Sequence, residues 1–170
     1  MATIRQYLAP EEATIRSTTG FPQFVRNDGT NFGVTGLAYD GAGTNQEIAY
    51  WKFEPAGYGS GDLTVDLVWY AASGTSGSVD WAAAVAAITP NTDTEDVLTA
   101  AFGNAPAVTA NHLGTTARRL HKTTVTITTS DLDSMAAGDE CWLKVMRNPI
   151  TDTLTADAII TSVRLSYSDT

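Results

Sequence analysis

The stretch DLTVDLVWYAASGTSGSVDW, Asp62 to Trp81, decides the fold. From Leu63 to Tyr70, the side chains of Leu63, Val65, Leu67 and Trp69 fall on one side of an extended chain, and those of Thr64, Asp66, Val68 and Tyr70 on the other. Successive residues of a strand point to opposite faces, so this period of two describes a half-buried strand with one core face. Ala71 to Ser78 is small and polar, and its Gly74 and Gly77 tolerate positive φ, so the chain can reverse there. The alternation resumes through Val79, Trp81, Ala83, Val85 and Ala87. WAAAVAAI has high helix propensity, but it begins directly after a turn and stops before Pro90, a length that suits a strand.

The same signature recurs along the chain. It predicts further strands over Phe21–Arg26, Gly33–Tyr39, Gln46–Phe53, Val79–Ile88, His121–Thr129, Cys141–Arg147 and Ala158–Tyr167. Between them stand NDGTN, DGAGTN, PAGYGSGD, GTSG, TPNTDTED and RNPITDT, rich in the residues that punctuate loops. About eight short strands with little helix predict an all-β, jelly-roll-like antiparallel β-sandwich. The connection Thr89–Leu120 is too long for an ordinary hairpin loop, and TEDVLTAAF within it reads as a helical turn or an edge strand. SDLDSM reads as one short turn with Ser130 as its cap.

At 170 residues the chain fits one domain, able to bury about 70% of its unfolded surface without metal or disulfide staples. Residues 21–170 form that domain. Residues 1–20 lack a clean alternation, mix Ile4, Tyr7, Leu8 and Ile15 with charges and break at Pro10, so they read as an extended N-terminal arm or an ordinary tail. Those four apolar residues are the candidate interface, because a purely solvated tail has no need of them. No stretch approaches the ~18 apolar residues of a membrane span, and no targeting signal is legible at Met1–Pro10, which makes a soluble protein synthesised in a cytoplasm.

Charge and chemistry exclude more than they propose. A net charge of −9 argues against nucleic acid, and the local basic cluster of Arg118, Arg119 and Lys122 reads as a solvated loop end or a salt bridge to an acidic partner. Cys141, the single cysteine, alternates with Leu143 and Val145 and reads as a small buried hydrophobe. His112 and His121 have no His or Cys at metal-ligand spacing and no partner for a nucleophile, so neither a catalytic residue nor a metal or cofactor is expected. Asp131, Asp133, Asp139 and Glu140 match no calcium loop and read as turn acids, as do Asp93, Glu95 and Asp96. Among the aromatics, Trp69 and Trp81 belong to core faces. Tyr50, Tyr58 and Tyr70 are left to meet solvent, a sugar or a partner subunit, while Trp51, Trp142 and Tyr39 complete the set.

From Ile48 to Asp169 the chain resembles jelly-roll structural proteins of tailed bacteriophages and prophages. The resemblance lies in IAYWKFEPAGYGSGDLTVDLVWYAASGTSGSVDWAAAVAAITPNTDTED, HKTTVTITTSDLDSMAAGDECWLKVMRN and ADAIITSVRLSYSD. It implies a non-enzymatic virion component. The expected role is a capsid decoration, or cement, protein on the capsid surface, self-associating as a trimer and bound to the major capsid protein. The alternative it implies is a tail-fibre or receptor-binding module recognising host-surface glycan, with a carbohydrate-active enzyme a distant third.

Overall fold

A computed structural model describes residues 2–16, 20–41, 43 and 45–170. Among them eleven strands form: β1 (Thr3–Leu8), β2 (Thr14–Ile15), β3 (Gln23–Asp28), β4 (Gly33–Tyr39), β5 (Glu47–Phe53), β6 (Leu63–Ala71), β7 (Ser78–Ile88), β8 (Ala107–Asn111), β9 (His121–Ile127), β10 (Glu140–Arg147) and β11 (Ala158–Ser168). They build two antiparallel sheets. The first runs β3-β4-β11-β6-β9 with β1 also on β11, and the second runs β2-β5-β10-β7-β8. Most successive strands from β4 onward cross from one sheet to the other, so each contributes its apolar face to one shared core. Among the described residues, helix is confined to 3-10 turns at Pro10–Glu12 and Thr129–Asp131.

The all-β jelly-roll sandwich expected from the sequence is the fold observed, and the eight expected strands form within two residues of their expected ends. Leu63, Val65, Leu67 and Trp69 are all 0% exposed, as the alternation requires. Trp81 packs edge-on against Trp69 (ring centroids 6.1 Å apart) and against Tyr39 (5.2 Å), tying the two sheets together through aromatic faces. In the short turn after β9, Ser130 lies inside the turn and not at its cap; Thr128 holds the N-cap position, with no side-chain bond to the turn's backbone.

Of the two readings of TEDVLTAAF, the helical turn is the one that forms: the Thr99 and Ala100 N–H groups both donate to the Asp96 carbonyl (2.9 Å). The edge strand of the long connection lies farther on, at β8, where Ser78–Ala82 of β7 pairs with Asn111–Ala107. Only two of the five residues of β8 turn inward, an alternation too short to stand out in sequence.

The expected arm is corrected as well. β1 pairs with β11 from Thr3↔Ser168 to Leu8↔Val163, and β2 pairs with β5, so the segment belongs to the sandwich. Leu8 lies in the core, and Ile4 and Ile15 pack against it; Tyr7, 61% exposed, is the one member of the candidate interface that faces solvent. The physical reason is an open edge. β4 pairs with β11 only as far as Ile160, where a bulge shifts the register, and β1 supplies partners to the backbone groups beyond it. The period of two stays hidden in the sequence because one inward position of β1 is Gln6, whose amide donates to the Glu54 carbonyl (2.5 Å) and the Tyr167 hydroxyl (2.8 Å). Met1 and residues 17–19 of that segment lie outside the described residues.

Candidate functional site

Most of the acids and both histidines singled out from sequence are committed to structure. Asp133 accepts the Ala87 N–H (3.0 Å), and Asp139 accepts the Thr89 hydroxyl (2.8 Å) and the Ala136 N–H (2.7 Å). Asp131 takes the Thr128 hydroxyl, Asp93 the Thr89 N–H and Asp96 the Leu98 N–H, so these acids hold loops. Among the described residues no group of three or more His, Cys, Asp or Glu is placed to hold a metal ion. His112 Nδ1 accepts the Gly114 N–H (3.0 Å) and His121 Nε2 the Leu113 N–H (3.1 Å), so the two rings shape the connection between β8 and β9. Burial, with help from His112 and Arg119, lowers the pKa of His121. Cys141 is buried, and that burial pushes its thiol up to about 12.

The outer faces of the two sheets differ in what they leave open. On the second sheet, Tyr50, Lys144 and Ala84 stand in one row across β5, β10 and β7. Phe102, from the long connection, lies over that row, with its ring 5.8 Å from Tyr50 and 4.5 Å from Lys144 Nζ. The chain thereby covers the middle of this face itself. Trp142, in the neighbouring row, remains half-buried.

The first sheet is built differently. β3 and β4 form a hairpin whose tip closes through the Gly29 N–H to the Phe32 carbonyl (3.0 Å). Because β4 loses its β11 partner after Ile160, the distal half of the hairpin continues as a free ribbon beyond the sheet. Gly36 marks the parting point: a Cβ there would stand 2.6 Å from Ile159 Cγ2 and 2.7 Å from the Ile160 carbonyl oxygen, so only glycine lets the strands approach this closely. The Thr35 hydroxyl, donating to Glu11 at 2.5 Å, ties the ribbon down on its other side, and that bond lowers the Glu11 pKa.

Beneath the ribbon opens a cleft of about 590 Å³. Tyr70, Thr161 and Val34 line its base, Asn27, Asn31 and Phe32 line it from the hairpin, and Arg118 and Leu120 line it from the connection before β9. Tyr70 is held by an apolar cluster with Ala38 and Ile159, and its hydroxyl accepts the Asn27 amide at 2.8 Å. Phe32 is 71% exposed. An aromatic ring left open beside amides, a phenol and a guanidinium is the chemistry of a site that stacks on a flat ligand face and hydrogen-bonds its edge. A smaller cleft of about 300 Å³ lies between β8 and β9, where the indole, Trp69, is fully buried.

Solved structures that share this architecture include the following three. The isomalto-dextranase of Arthrobacter globiformis T6, complexed with panose, matches at 16% identity and a TM-score of 0.56 over 99% of this chain. This chain spans 23% of that enzyme's length. The CBM36-1 domain of a multidomain xylanase from the hindgut metagenome of Trinervitermes trinervoides matches at 11% identity and a TM-score of 0.55, over 97% of this chain and 98% of that one. The carbohydrate-binding module CBM28, specific for non-crystalline cellulose, matches at 10% identity and a TM-score of 0.56, over 91% of this chain and 87% of that one. The fold is the jelly roll of these modules. No family model matches the chain, and no curated protein matches it.

The expectation of a capsid decoration protein is thereby corrected. The scaffold features that suggested a virion protein are those of a jelly roll in general, and two of those three structures sharing this fold are carbohydrate-binding modules. The segment that was to clamp a capsid neighbour pairs within its own sandwich. Of the cleft residues, Tyr70 was among the aromatics legible as possible sugar contacts, and Arg118 was legible only as a loop-end cation. Phe32 was missed. Its signal was a large aromatic in NDGTNF, a turn that offers no core to bury it.

Proposed function

We propose that this domain is a non-catalytic glycan-binding module, with the cleft beneath the β3–β4 hairpin as its binding site. The observation that carries the reading is the pairing of a 71% exposed Phe32 with polar groups converging on Tyr70 in a cleft of about 590 Å³. Its volume lies within the range of ligand sites generally, roughly 300–1,000 Å³. Sugars present apolar ring faces and hydroxyl edges, so an aromatic ring flanked by Asn27, Asn31 and Arg118 suits both parts of such a ligand. Two of the solved structures sharing the fold are carbohydrate-binding modules, which supports the same reading.

The test is affinity electrophoresis and calorimetry against a panel of neutral and acidic polysaccharides, with Phe32→Ala as the diagnostic variant. Phe32 is exposed and outside the core, so the variant keeps the wild-type melting temperature. Loss of the stacking face lowers affinity tenfold or more, about 1.4 kcal/mol for each factor of ten. Wild-type affinity in Phe32→Ala would move the site elsewhere, and no binding to any member of the panel would remove the function.

A further inference from the structure

The charges around the cleft are unevenly committed. Asp28, which lines the cleft from the hairpin, is paired with Arg26 (3.5 Å) in an exposed ion pair, and Lys122 on β9 is paired with Asp66 (3.2 Å). Elsewhere Lys52 is paired with Glu140, and Arg147 with Asp152. Arg118 lines the cleft with no carboxylate in ion-pair range among the described residues. Its Nε donates to the Ala72 carbonyl at 3.4 Å, which leaves both terminal nitrogens of the guanidinium uncommitted. The Tyr70 hydroxyl accepts from Asn27, so its own hydrogen is left to donate, whereas the Thr161 hydroxyl already donates to the Val68 carbonyl. The cleft therefore offers a planar cationic fork on the wall before β9 and a phenolic donor at its base, with the Arg26-paired Asp28 carboxylate on the hairpin wall, so it has room for one ligand carboxylate at Arg118 and not for a row of them.

Resting on the glycan-binding reading, we propose that the ligand is a glycan whose otherwise neutral chain carries uronic-acid carboxylates at intervals, one of them received by Arg118. A guanidinium matches a carboxylate with two parallel hydrogen bonds, a fit that a neutral hydroxyl does not reproduce. The spacing of the ligand's charges follows from the rest of the protein. Its net charge of −9 repels a contiguous polyanion. A single carboxylate at Arg118 lies within about one Debye length, 8–10 Å at ordinary salt, of its partner and is largely screened from more distant acids. The apolar part of the cleft, Phe32 and Leu120, is left to cover the neutral sugars on either side.

The experiment titrates the intact domain with glucuronic-acid-substituted xylan, with the same polymer after its carboxyls are reduced to alcohols, with polygalacturonate, and with neutral cellulose oligosaccharides and dextran. The expected result is about tenfold tighter binding of the substituted xylan than of its reduced form, a difference that 0.5 M NaCl diminishes. Arg118→Gln erases the difference. Arg5→Gln, an equal change in net charge on the exposed face of β1, leaves it in place. Equal affinity for the two xylans, unchanged by Arg118→Gln but lost in Phe32→Ala, overturns the acidic-ligand inference and leaves the glycan site standing. Tighter binding of polygalacturonate than of the substituted xylan overturns the sparse-charge part. Binding of none of these polymers overturns both readings together.

Discussion

Arg147 is a charged residue at an inward position of a strand, and replacing it gives the most demanding test of how this sandwich is held. Its side chain and that of Asp152 are 0% and 1% exposed. Nε donates to Asp152 Oδ2 (2.7 Å), Nη1 to the carbonyls of Tyr39 (2.7 Å) and Ala156 (3.0 Å), and Nη2 to that of Leu154 (2.5 Å). One guanidinium thus fastens the end of β4 and the approach to β11 onto β10. A side chain on Gly41 would collide with the Ala156 and Leu154 carbonyls and with the guanidinium itself. Arg147→Met keeps the apolar stem but strands a buried carboxylate and three carbonyls. Breaking a buried pair from one side costs about 3–5 kcal/mol, and each orphaned carbonyl adds up to ~1–3, less whatever the loop recovers by relaxing. The expected loss is at least about 4 kcal/mol, or roughly 8–16 °C in Tm for a chain of this size. Urea unfolding followed by tryptophan fluorescence measures it, with Trp81 directly across the ladder from Arg147 as the reporter. Adding Asp152→Asn removes the stranded charge, so the double variant is more stable than the sum of the two single losses predicts. A loss under about 1 kcal/mol in Arg147→Met, or strict additivity in the double variant, would refute the argument.

Two further outcomes test other parts of the fold. Leu8→Ala is expected to cost about 2–5 kcal/mol, as a core truncation does, while the neighbouring Tyr7→Ala stays within about 0.5 kcal/mol; thermal melts of the pair check that residues 3–8 are a core strand. Glu47 has its pKa raised from 4.5 to about 7, by burial first and then by the Asp40 and Asp157 carboxylates, against the opposing Asp40 N–H bond and Arg147. The folded state then holds a proton that the unfolded chain releases, so Glu47's contribution is fully present below pH 4.5 and is lost as pH rises through about 7. Glu47→Gln should therefore gain stability relative to the wild type between pH 4.5 and 8 in urea titrations; an unchanged difference would show that the carboxylate is solvated.

What the sequence determined by itself was the fold class and the core. Leu63, Val65, Leu67 and Trp69 announce their burial because a period of two on a twisted sheet has one reading, and the same holds for Cys141, Leu143 and Val145 on β10. It also showed Tyr70 as an aromatic off the core face. Tertiary structure decided the rest, wherever a residue's role depends on a partner distant in sequence. Gln6 stands at an inward position because Tyr167 and Glu54 meet its amide, and Arg147 does so because three carbonyls and Asp152 surround it; local alternation registers both only as breaks in a pattern. The cleft is of the same kind. Its base comes from β4, β6 and β11, its opposite wall lies close to ninety residues along the chain from the hairpin, and it exists because a bulge after Ile160 frees the β3–β4 ribbon from the sheet. Hydrophobic period is a local property that a chain carries before it folds, whereas a cleft is a relation between strands that pairing alone creates.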